Sequence, residues 1–143
     1  MKKALVILSF IAAAISLSSC HIEGATIRTE EYFIEHGAWQ ISNGTDPKDV
    51  YLYVTCEADF INKKACEDGS VNAYLWLEGS KCWTPLPYLS MYPHTSGMST
   101  TIIAENIRFE YAPGEITFIV QDMDGLVPDP LVDDYTFRVT VTR

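Results

Sequence analysis

Residues 135–142 read YTFRVTVT, and they place Tyr135, Phe137, Val139 and Val141 on one side of the chain and Thr136, Arg138, Thr140 and Thr142 on the other. Strict alternation of apolar and polar residues over eight positions is the signature of a strand with one face buried and one face wet. A period of 3.6 would scatter the same residues around a helix. The pattern recurs upstream. In VYLYVTCEA (50–58), Val50, Leu52, Val54 and Cys56 oppose Tyr51, Tyr53, Thr55 and Glu57. Val71, Ala73, Leu75 and Leu77 oppose Asn72, Tyr74 and Trp76, and Ile116, Phe118 and Val120 alternate with Thr117, Ile119 and Gln121. Weaker alternation covers 27–34, 38–42, 83–88 and 100–111, for a total of about seven or eight strands.

Turn chemistry separates these runs at Asn43-Gly44, Asp68-Gly69, Pro113-Gly114 and Asp124-Gly125. Glycine supplies backbone angles closed to other residues, and Asn, Asp and Pro prepare the bend. Only ADFINKKACE (58–67) has the composition for a helical turn or two between strands. Many short strands joined by tight turns predict an all-β fold, an antiparallel β-sandwich of Ig-like or jelly-roll type, with Trp76 or Trp83 as its core tryptophan. A small β-barrel is the alternative, because alternation alone does not distinguish one closed sheet from two packed ones.

The length of 143 residues fits one domain, and 48% hydrophobic residues are too many for a disordered chain. The chain opens with Lys2 and Lys3, an apolar run from Ala4, and the small-residue stretch Leu17-Ser18-Ser19-Cys20. This is the layout of an export signal, too short for the roughly 20 residues of a membrane-spanning helix. Leu17-Ser18-Ser19-Cys20 resembles the lipobox of bacterial lipoproteins, which implies cleavage before Cys20 and lipidation of its thiol and new amino group. The expected organisation is a signal peptide over 1–19, a lipid-anchored tether over 20–25 and a single β-sandwich domain over 26–143. Cleavage removes Lys2 and Lys3 but no acid and takes the formal charge from −9 to −11. So acidic a chain is repelled by nucleic acid and by anionic lipid, so attachment to a membrane falls to the lipid on Cys20.

Three further cysteines, Cys56, Cys66 and Cys82, make an odd set in an oxidising compartment. Cys56 ends a strand and Cys66 lies in the following connection, so a Cys56–Cys66 disulfide is weighed against three small buried hydrophobes. No CxxC spacing supports a metal site, and no metal or other cofactor is expected. Nor does the chain carry a G-x-S-x-G elbow, an S-x-x-K, an H-E-x-x-H or a phosphate-binding glycine loop. His36 and His94 fall in expected loops, and a non-enzymatic role is predicted, although a Cys–His pair could meet in the fold.

Two acidic features stand out. Glu105 falls on the apolar side of its strand, which predicts a bulge near Glu105-Asn106 that resets the alternation. Asp122-Met123-Asp124-Gly125 looks like half a calcium loop. In EF-hand register, however, Val120 and Leu131 would occupy the first and twelfth ligand positions, which favours a plain hairpin turn.

Aromatic residues give the positive functional signal. Trp76 lies beside Tyr74 on a polar strand face, and Trp83, Tyr88 and Tyr92 follow in WTPLPYLSMYP (83–93). Large rings outside a core stack on sugar faces or anchor protein partners, so Trp76, Trp83, Tyr88 and Tyr92 are the candidate ligand-binding residues.

The runs DGSVNAYLWLEG (68–79), CWTPLPY (82–88), EITFIVQDMDG (115–125) and YTFRVTVT resemble a group of exported lipoproteins of Bacteroidetes-type bacteria, a family of unknown function. The resemblance covers about residues 37–143 and implies a β-sandwich on a lipid anchor in the outer membrane. His21-Ile22-Glu23-Gly24 carries one acid and does not resemble the acid-rich tag of surface lipoproteins in that group, which favours the periplasmic face. The expected function is that of a non-catalytic envelope lipoprotein that binds an envelope protein or another envelope component. A glycan-binding module is the alternative. A second is an adhesin or pilus-like subunit whose terminal strand, 135–142, pairs with another subunit.

Overall fold

The computed structural model describes residues 26–46, 49–123 and 134–143. Among these, nine antiparallel strands form two separate sheets. One sheet has the order β1 (Ile27–Ile34), β9 (Tyr135–Thr142), β4 (Ser70–Leu77), β5 (Cys82–Pro85). The other has the order β2 (Gln40–Ile41), β3 (Leu52–Ala58), β8 (Gly114–Asp122), β7 (Ser99–Ala112), β6 (Tyr88–Ser96).

The inward rows are those that the alternation defines. Val71, Ala73 and Leu75 of β4 and Phe137, Val139 and Val141 of β9 face Leu52 of β3 and Ile116, Phe118 and Val120 of β8, and all are buried in one core. Phe118 and Phe137 join the two sheets directly, with their rings stacked at 4.0 Å and 8°. Each such Val, Leu, Ile or Phe side chain removed from water contributes about 1.5–3 kcal/mol, and this burial is the force that holds the sheets face to face. Trp39, after a 3-10 turn at His36–Ala38, packs against this core with its ring edge-on to Tyr135 at 5.8 Å and Phe137 at 6.5 Å. The tryptophan packed on the core is therefore Trp39. Trp76 and Trp83 stand on the outward face, because both occupy outward positions of the alternation.

One end of the sandwich is closed by the β3–β4 connection. Phe60 and Ile61 are buried there. A six-residue helix, α1 (Lys63–Asp68), starts at Asn62, whose side chain accepts a hydrogen bond from the Ala65 N–H at 3.0 Å. Gly69 ends the helix where space is short: a Cβ there would lie 2.8 Å from the Ala65 carbonyl oxygen and 2.9 Å from that of Thr142. The helical turn predicted within 58–67 is thus present, shifted toward its C-terminal half.

Three expectations are corrected. The stretch 83–88 is not one strand, since Leu86 and Pro87 carry the chain from β5 in one sheet to β6 in the other. β6 itself hides behind Pro93, a residue that reads as a strand breaker. On an edge strand, the missing N–H can face the open side without breaking the ladder. The bulge near Glu105 is absent: β7 keeps continuous register with β6 and β8, pairing Glu105 with Ser90 on one side and Asp122 on the other. Glu105 does point inward, 2% exposed, and its carboxylate accepts a hydrogen bond from the Tyr92 hydroxyl at 2.8 Å. That hydrogen bond offsets part of the desolvation that an inward carboxyl group costs, so the strand need not slip. Tyr92→Phe should therefore lower stability by about 0.5–1.5 kcal/mol. The readout is an earlier urea midpoint at unchanged m-value, and an unmoved midpoint would show that the bond carries no stability.

β9 lies between β1 and β4 and is hydrogen-bonded on both sides. In this arrangement the terminal strand offers no free edge for another subunit.

Candidate functional site

Outward positions of β1, β9, β4 and β5 assemble one surface on the four-stranded sheet. Register pairs Trp76 with Trp83, Tyr74 with Pro85 and with Arg138, and Arg138 with Glu31. Because paired residues share a face, sequence alternation and sheet order together set these side chains next to one another. The two indoles lie 5.2 Å apart at 56°. The Trp76 Nε1–H donates to Glu78 Oε1 at 2.9 Å.

Arg138 fixes the other indole. Its guanidinium carbon stands 4.0 Å from the Trp83 ring centre, and its Nε and Nη2 donate to Glu31 Oε1 at 3.0 and 2.6 Å. The guanidinium is thus held between a carboxylate and an aromatic face, a cation–π arrangement of about 0.5–1 kcal/mol at an exposed site. On the neighbouring strand, Phe33 adds a ring that is 62% exposed. The result is a surface of indole and phenyl rings with one oriented cation and the carboxylates of Glu31 and Glu78 at hand. Such a surface can stack on a flat apolar face and exchange hydrogen bonds with hydroxyl or amide groups.

Tyr88 and Tyr92 do not belong to it. Both sit on β6 in the other sheet, where Tyr88 packs against the core and Tyr92 bonds Glu105. The four candidate rings are therefore two groups, and only Trp76 and Trp83 meet. Arg138, Glu31 and Phe33 are the members that single-strand reading does not find. Alternation places Arg138 outward, but nothing local says that β1 and β4 flank β9.

The remaining chemistry-bearing residues are dispersed. Cys56, Cys66 and Cys82 are free thiols, so the Cys56–Cys66 disulfide is not formed; Cys56 and Cys66 instead pack at the core margin. Burial pushes the Cys56 thiol above its ordinary pKa, which disfavours the thiolate that a nucleophile requires. His36 is engaged with Asp134. Its backbone N–H donates to Asp134 Oδ1 at 2.9 Å and its ring Nδ1 lies 3.3 Å from the same oxygen. The backbone bond first, then the ring, holds the Asp134 carboxyl below its usual range. His94 lies on β6, exposed. Asp122 faces Glu105 on the inward side, whereas Asp124 lies outside the described residues, as does Cys20. Among the described residues no three His, Cys, Asp or Glu side chains are grouped to hold a metal ion, and no helix is long and apolar enough to cross a membrane. Comparison with known protein families, curated proteins and solved structures finds no match for this chain.

Proposed function

We propose that the protein is a non-catalytic binding module of the bacterial envelope, anchored through lipid on Cys20, with the outward face of the β1-β9-β4-β5 sheet as its ligand surface. One observation carries the reading: the Trp76–Trp83 pair is held in place by Glu78, Arg138 and Glu31 on a face that the core does not use. Aromatic rings of this size outside a core, with their polar atoms already oriented, bind at low ordering cost. The lipobox at Leu17-Ser18-Ser19-Cys20 and the resemblance to exported lipoproteins of Bacteroidetes-type bacteria support the outer-membrane setting, and the single acid after Cys20 supports the periplasmic side. The Ig-like or jelly-roll description belongs to the same reading, supported by two antiparallel sheets that share one core.

The ligand on this reading is an envelope protein or another envelope component. A glycan is the second reading, favoured by the specific combination of paired indoles with a guanidinium and carboxylates. Trp83→Ala should lower binding at least tenfold while leaving the melting temperature nearly unchanged, because Trp83 stands outside the core. Binding of the wild type to a glycan array, lost in Trp83→Ala, selects the sugar. A Trp83-dependent protein partner with an empty array selects the envelope protein. Binding of either class that is indifferent to Trp83, Trp76 and Arg138 would remove this face from the function.

A further inference from the structure

Two indole–carboxylate pairs stand side by side on the outward face of the β1-β9-β4-β5 sheet. In the first, Trp83 and Glu31 hold the Arg138 guanidinium between them: its carbon lies 4.0 Å from the ring centre, and Nε and Nη2 both donate to Glu31 Oε1. In the second, the Trp76 Nε1–H donates to Glu78 Oε1 at 2.9 Å, which fixes an exposed carboxylate at the rim of a half-buried indole. Register pairs Trp76 with Trp83, so the second pair adjoins the first, with the rings 5.2 Å apart.

Both pairs present the same chemistry, an electron-rich ring face beside a carboxylate, and that combination attracts a cation. Arg138 shows which cation it accepts. Among the described residues no cation lies over the Trp76 ring and no ion pair reaches Glu78, although Lys81 stands in the same turn. The surrounding charge has the same sense. Apart from the bonded His36–Asp134 pair, the strand ends and turns around these rings carry Glu31, Glu35 and Glu78 against Arg138 and Lys81, in a chain of net charge −9. Such a surface repels an acidic partner and draws a basic one.

We propose that the Trp76–Glu78 pair binds an arginine side chain, presented by a basic segment of a partner protein. Arg138 is the chain's own precedent: one planar guanidinium stacks on an indole and donates N–H groups to a carboxylate at the same time. A lysine ammonium is a strongly hydrated point charge and makes a poorer match to the two groups together. The inference rests on the reading of this sheet face as the ligand surface, and within that reading it selects an envelope protein over a neutral glycan.

The test titrates the detergent-solubilised, 15N-labelled full chain with the peptide acetyl-Gly-Arg-Gly-Arg-Gly-amide. A second peptide carries citrulline in place of arginine, which keeps the planar shape and removes the charge. The indole N–H resonances of Trp39, Trp76 and Trp83 report separately, and Trp39, packed against the core, is the internal reference. The arginine peptide should shift the Trp76 resonance and leave that of Trp39 in place, and the citrulline peptide should bind at least tenfold more weakly. Raising the salt to about 0.5 M should weaken the arginine peptide severalfold, because the pair is exposed and screened. Glu78→Gln keeps an acceptor for the Trp76 N–H but loses the charge, and it should weaken binding at least fivefold. Since Glu78 is exposed, an unmoved Trp39 resonance in Glu78→Gln shows that the fold is kept. No response of Trp76 to the arginine peptide, an equal response to citrulline, or binding unchanged in Glu78→Gln would overturn the proposal. In that event Trp83-dependent binding of another ligand keeps the sheet face in the function, whereas binding indifferent to Trp83 removes the face as well.

Discussion

Phe118→Ala should cost about 3–5 kcal/mol, much of the 5–15 kcal/mol that a domain of this size possesses. Phe118 is fully buried, and its ring stacks at 4.0 Å on Phe137 of the opposite sheet and lies 5.8 Å from Tyr32 of β1. The substitution removes one of the largest side chains through which the sheets touch, and β8, hydrogen-bonded to both β3 and β7, cannot collapse into the space without breaking two ladders. The expected result is a fall in melting temperature of roughly 10–20 °C, with loss of near-ultraviolet circular dichroism at the new midpoint. Trp83→Ala is the matching control, because its ring lies outside the core. A Phe118→Ala loss below about 1 kcal/mol would mean that the two sheets are not held by this stack.

Cys20→Ala should abolish lipidation of the chain outright. Each methylene of an acyl chain in the bilayer contributes about 0.8 kcal/mol, one chain binds only marginally, and two or three chains hold a protein stably. The acidic mature chain gains nothing from anionic lipid, so on this reading its attachment rests on the acyl chains. Metabolic labelling with a clickable fatty acid should mark the wild type and leave Cys20→Ala unmarked. Equal label on both would place acylation on another residue and refute the anchor at Cys20.

The strand that was easiest to read, Tyr135–Thr142, shows how far a sequence reaches. Its alternation names both faces: Phe137, Val139 and Val141 are buried, and Arg138 stands outward. The same holds for β3, β4 and the inward row of β8, since a side-chain period of two is a property of the extended backbone itself and needs no neighbour. The helical turn after β3 was legible for a similar reason, because Asn62 caps it within its own segment. β6 was not legible. Pro93 is incompatible with an interior strand and compatible with an edge, and which strands are edges is a property of the sheet. Glu105 misled in the same way. Its inward position is stabilised by Tyr92, thirteen residues away, so the local pattern showed the cost without the compensation.

The amino-acid sequence by itself therefore determined the all-β class, the inward and outward faces of the strong strands, and the acidic charge, because each follows from local geometry or from a sum over residues. The tertiary structure decided the order of the strands and everything built on it. It took Trp39, and not Trp76 or Trp83, against the core, and it separated Tyr88 and Tyr92 from the two outward indoles. It also brought Glu31 to Arg138 across 107 positions of chain. Contacts between strands distant in sequence are set by which apolar faces can be buried together, and that choice is made by the whole chain at once.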